Sequence, residues 1–99
     1  MTIQLYHSES YFADLGAHVM PIRKFGLVRA AIEASGLAAR IDAPEPVKDE
    51  DLLRVHSAEY VRAIATGEPR ALAESQKFPW SPGLAEAVRH TNGGCIAAL

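Results

Sequence analysis

A chain of 99 residues that is 48% apolar and 22% charged has the balance of one soluble globular unit, without the polarity of a disordered segment or the long apolar run of a membrane span. Its net charge of -2 offers no concentrated basic surface for phosphate, which argues against nucleic acid, and no basic start followed by an apolar stretch marks a targeting segment or a membrane partner. Cys95, the single cysteine, cannot close an internal disulfide; it reads as a small buried hydrophobe, and the cytoplasm is the expected setting.

In chain order, Thr2 to His7 alternates Ile3 and Leu5 with Gln4 and Tyr6, the period of two that predicts a strand near a sheet surface. Ser8 to Val19 has no sustained period and reads as a long loop with a helical turn at most; long ordered loops often serve a site. Pro21 is expected to open a helix, because a first-turn proline loses no hydrogen bond, and Phe25, Val28 and Ile32, flanked by Leu27 and Ala31, give it an apolar stripe up to Gly36. Ala38 to Asp42 suits a second short strand. The connector Ala43-Pro44-Glu45-Pro46 must be extended, since each proline disfavours helix at the residue before it. Asp49 to Arg54, with acidic residues in its first turn, and a segment capped by Ser57 that carries Val61 and Ile64 predict two short helices. Another short helix is expected within Gly67 to Lys77, then extended chain through Phe78-Pro79-Trp80 to a Ser81 cap with Pro82 in the first helical turn. The final helix carries Leu84, Ala87, Val88, Ile96 and Leu99, with Gly93-Gly94 in its middle and no stop signal after it. Strands alternating with helices normally build a parallel sheet covered on both faces, and one or two strands are too few. The expectation is therefore an α/β protein of which residues 1–99 are the N-terminal portion of a single domain.

The residues alone name no chemistry. His7, His18, His56 and His90 include no pair at the i, i+4 spacing that puts two metal ligands on one helical face, and His90 and Cys95 are five apart. Asp49-Glu50-Asp51 reads as a solvated helix start, and Gly93-Gly94 precedes no Lys-Ser or Lys-Thr pair of a phosphate loop.

Four blocks in order carry a resemblance. They are Met20-Pro21-Ile22-Arg23-Lys24-Phe25; Ser35-Gly36-Leu37 with Ala43-Pro44-Glu45-Pro46; Glu50-Asp51-Leu52-Leu53-Arg54-Val55-His56-Ser57-Ala58-Glu59-Tyr60-Val61; and Phe78-Pro79-Trp80-Ser81-Pro82-Gly83-Leu84 leading to Gly93-Gly94-Cys95-Ile96-Ala97-Ala98. Together, from about Leu5 to Leu99, they resemble the opening of the histone deacetylase and acetoin-utilisation family, most of all its class IV and bacterial branch. The resemblance implies an arginase-like fold, a parallel sheet with helices on both faces, and hydrolysis of an acetyl-amide on acetyl-lysine or an acetylated small molecule. In that family zinc, held by two aspartates and a histidine, polarises the acyl oxygen and activates water. None of those motifs occurs here. The resemblance therefore gives this stretch no catalytic residue and no metal ligand, makes the remainder of its own chain its partner, and leaves the isolated 99 residues inactive. It does imply that Lys24, the better match, or Arg23 meets the released acetate and that Tyr11, Phe12 and His18 line the tunnel mouth. Many relatives grip the substrate backbone with an aspartate where Phe78 to Pro82 stands here, and the absence of an acidic residue between Lys77 and Gly83 argues against a histone substrate. His56 and Tyr60, expected at i, i+4 on one helix, and Trp80, a buried anchor, read as packing residues. The competing expectation is a self-contained helical module that binds a protein partner without catalysis.

Overall fold

The structure, a computed structural model, describes residues 2–18 and 20–99; Val19, at the end of the expected rim loop, lies outside them. Strand β1 (Ile3–Tyr6) pairs in parallel with β2 (Ala39–Asp42), from Ile3 opposite Ala39 to Tyr6 opposite Asp42. Parallel neighbours need a long crossover, here the loop after β1 and helix α1 (Lys24–Ser35), so the first half of the chain is a β-α-β unit. The ladder continues past Tyr6: the His7 amide donates to the Asp42 carbonyl at 3.0 Å. This fixes His7 at the carboxyl end of β1. The chain is thus mixed helix and strand with a small parallel sheet.

The remaining helices are α2 (Asp49–Leu52), α3 (Ala58–Thr66), α4 (Arg70–Ala73) and α5 (Pro82–Ala98). Two begin where a serine satisfies an otherwise free amide: Ser57 Oγ accepts from Tyr60 N at 3.1 Å, and Ser81 Oγ from Leu84 N at 3.0 Å. Glycines in the left-handed region close α1 at Gly36 (φ 78) and α3 at Gly67 (φ 81).

Four expectations need correction. Pro21 does not start α1. Its carbonyl instead accepts the Lys24 amide at 3.0 Å, and this turn delays the helix to Lys24. His56 lies outside α3, in the turn before the Ser57 cap, although its ring remains 5.4 Å from that of Tyr60. The α1 stripe is only partly covered: Phe25 and Ile32 are half-buried, but Val28 is 56% and Leu27 68% exposed, because two four-residue strands make too small a surface to cover a twelve-residue helix. Cys95 is exposed, since α5 turns its glycines, not this position, toward the rest of the molecule.

Helix α5 is the centre of the packing, in contact with β1, α3 and the loop after β1. Leu84 and Ala87 bury against Ala13 and Leu15, with Met20, Ile22, Phe78 and Val88 around them. Farther along, Gly93 and Gly94 let other groups approach the helix axis: a Cβ on Gly93 would collide with the Glu45 carbonyl, and one on Gly94 with the Tyr11 hydroxyl. The extended connector is tied down at the same place. Val47 N donates to Arg89 O at 2.9 Å, and the Arg89 guanidinium reaches Val47 O at 3.3 Å and Asp49 at 2.7 Å. Asp49 therefore holds an ion pair as well as a place in a helical first turn.

The molecule is flat and open. Its extents are 46 × 32 × 15 Å and its radius of gyration is 15.0 Å, against about 13 Å for a compact domain of this length. Its accessible surface of 6731 Å² compares with roughly 5,500 Å² for a compact monomer of its mass. Leu27, Val28, Leu37 and Val55 stand among the exposed apolar side chains.

Candidate functional site

Open parallel sheets present ligands at the carboxyl ends of their strands. Here that position is a cleft of about 270 Å³ formed by His7, the loop after it, and the start of α1. Ser8 Oγ accepts from Ser10 N at 3.1 Å and sets a single 3-10 turn, Glu9–Tyr11, which directs Tyr11 inward and leaves Phe12 exposed. Tyr11 retains 6% of its exposure. Its ring meets His7 edge-on at 5.4 Å and Phe25 at 5.3 Å, an aromatic sequence that couples β1 to α1. Burial raises the pKa of the Tyr11 phenol above its ordinary value, with negative charge on the nearby Cys95 thiol as the lesser cause. Tyr11 is therefore a neutral, packed residue.

The cleft holds both cationic and titratable groups. The Arg23 guanidinium lies 5.0 Å from the centre of the Phe12 ring, a cation-aromatic contact, and makes no ion pair among the described residues. His7 is 9% exposed. His18 and His90 have side-chain hydrogen bonds, whereas His7 has none among the described residues. Glu9 also lines the cleft, so its charge is mixed. An unpaired guanidinium beside aromatic walls suits a small carboxylate with a short apolar end, because the planar fork of N–H donors matches a carboxylate and the rings accept the rest.

Of the residues suggested by sequence, Tyr11, Phe12 and Arg23 come together in this cleft. Lys24 faces neighbouring clefts of about 330 and 180 Å³, with its ammonium 5.4 Å from the Phe25 ring. His18 stands elsewhere, between the loop and the segment before α5. His7 was missed, although its place directly after an alternating strand is the signal that an α/β reading offers. Among the described residues, no three His, Cys, Asp or Glu side chains gather closely enough to hold a metal ion. The residues present therefore do not fit a zinc site. No helix of the described residues is long and apolar enough to cross a membrane.

No family model matches the chain, and no solved structure matches it significantly. Among curated proteins, it is 39% identical over 75 residues to a histone deacetylase-like amidohydrolase of Pseudomonas aeruginosa, in a match covering 73% of this chain and 20% of that protein. The chain thus spans about a fifth of the length of the relative it matches, and the likeness is to the corresponding piece of an amidohydrolase.

Proposed function

We propose that this chain is the N-terminal portion of a zinc-dependent deacetylase of arginase-like α/β fold that hydrolyses acetyl-amide bonds in acetyl-lysine or a small acetylated amine. The observation that carries the reading is the 39% identity over 75 residues to a protein named as an amidohydrolase. The β-α-β unit, with an aromatic and cationic cleft at the carboxyl end of β1, supports it.

In this reading the zinc ligands and the catalytic residues lie outside these 99 residues, which by themselves hydrolyse nothing. A zinc ion held by those outside residues would supply polarisation of an acyl oxygen and activation of water; no residue of this stretch would ligate it. The part played by this stretch is structural and electrostatic. Arg23 holds the carboxylate of released acetate, with Lys24 adding positive charge from the next cleft. Tyr11 and Phe12 form the wall that carries Arg23. The exposed faces of α1 and the two strands are covered by the remainder of the chain. The protein works in the cytoplasm, on small acetylated substrates rather than histones.

The test is acetate release by the full protein that carries this stretch, on acetyl-lysine and acetyl-polyamine substrates, with and without a metal chelator. Chelator-sensitive release supports the proposal. A well-folded full protein that releases no acetate from either substrate overturns it.

A further inference from the structure

His18 joins two segments that are 59 residues apart in sequence. Nδ1 accepts the Met20 amide at 3.0 Å, Nε2 meets the Lys77 carbonyl at 3.0 Å, and the ring lies 5.1 Å from that of Phe78. A backbone amide only donates and a carbonyl only accepts. The two contacts together are therefore met by one form of the ring, neutral with its hydrogen on Nε2. A proton added to Nδ1 turns an acceptor into a donor and sets two N–H groups against each other. The contact at Nε2 survives; the one at Nδ1 does not.

We propose that His18 is a pH-sensitive latch, which in its neutral form holds the loop before α1 against the Lys77–Phe78 segment and on protonation releases it. What the latch holds gives it reach. Met20 and Ile22, just beyond the ring, pack with Phe78 on the Ala13, Leu15, Leu84 and Ala87 core, and Ile22 and Arg23 then form one wall of the cleft beside His7. Losing the Met20 bond frees the end of that wall.

The elements packed around the latch carry other titratable and charged groups: His7, Glu9 and Arg23 line the cleft, and Glu86 and His90, paired at 2.8 Å, lie on α5. Nearer the ring in sequence, Asp14 accepts the Gly16 amide at 2.9 Å, and the Lys77 side chain is exposed. Neither is ion-paired among the described residues. The α5 residues that pack on the loop, Leu84 and Ala87 with Val88 beside them, are apolar. Histidine is the side chain whose charge ordinarily changes between about pH 5 and 8, so a transition in that window points to a histidine rather than to Asp14 or Lys77, and a His18 variant separates this ring from His7 and His90.

Two measurements on the full protein test this. In nitrogen-15 spectra of the imidazole at about pH 8, the upper end of the range in which histidines ordinarily change charge, Nδ1 of His18 is expected to be pyridine-like and Nε2 protonated. The opposite tautomer overturns the latch without any variant. By hydrogen exchange corrected for intrinsic rates, the protection of Met20 and its neighbours is expected to fall about three- to tenfold from pH 8 to pH 5, the range for one lost hydrogen bond. In His18→Asn, whose side-chain oxygen accepts an amide without titrating in this range, that pH dependence is expected to vanish. Equal protection at both pH values in the unmodified protein, or the same fall in the asparagine variant, overturns the proposal.

Discussion

Gly93→Ala and Gly26→Ala make the same chemical change in two helices, and the structure predicts opposite effects. Alanine is favoured over glycine in a helix by roughly 0.5–1 kcal/mol. A Cβ on Gly26 meets nothing within 4 Å, so that gain is expected in full. At Gly93 the new carbon runs into the Glu45 carbonyl, a backbone group that cannot rotate away as a side chain does. Forced overpacking costs about 1–3 kcal/mol, and moving the connector away also weakens the 2.9 Å bond from Val47 N to Arg89 O, worth about 1 kcal/mol. Set against the helix gain, Gly93→Ala should destabilise by roughly 1–3 kcal/mol. In the larger protein of which this stretch is read as a part, at about 2–4 °C per kcal/mol, Gly26→Ala should raise the melting temperature by about 1–4 °C and Gly93→Ala should lower it by at least about 2 °C. Thermal unfolding followed by Trp80 fluorescence measures both. If both substitutions stabilise alike, α5 does not pack on the connector and the architecture described is wrong.

Other consequences follow from single contacts. Trp80→Phe keeps an aromatic side chain but trims the indole and removes the N–H that meets Ile64 O at 2.7 Å, and should cost at least about 1–2 kcal/mol in urea denaturation. Ser81→Ala removes the cap of α5 and should cost about 1 kcal/mol by the same measurement. Tyr11, with its pKa raised by burial, stabilises the fold fully below the ordinary tyrosine range. That contribution is lost as pH rises past about 10 and through the raised folded value, so Tyr11→Phe should flatten the alkaline limb of a stability-pH profile. An unchanged alkaline limb in Tyr11→Phe would contradict the burial of that phenol.

Local chemistry in the sequence was a sound guide to the elements. The alternation at Ile3 to Tyr6, the caps Ser57 and Ser81, and the stop at Gly36 each act through neighbours a few residues away, and each appears where expected. Pro21 misled by three residues because a proline that suits a first helical turn also suits the turn preceding one. The exposure of Leu27, Val28 and Cys95 depends on how much sheet and helix lies opposite, which periodicity does not report. The cleft was legible only in outline. Resemblance pointed to Lys24, Arg23, Tyr11, Phe12 and His18, of which Arg23, Tyr11 and Phe12 meet in the cleft, but the burial of Tyr11 beneath Gly94 and the pairing of His18 with Lys77 arise from contacts between distant parts of the chain. No spacing rule encodes such contacts.

Whether this stretch holds the product-side cation of a deacetylase is measured by Arg23→Ala and Arg23→Lys in the full protein, assayed for acetate release and for inhibition by added acetate. On that reading, Arg23→Ala should weaken acetate inhibition about tenfold or more, the scale of a lost charge-assisted hydrogen bond, and lysine should restore part of it. Acetate release and acetate inhibition unchanged by both substitutions, in proteins with unchanged melting temperature, would contradict it.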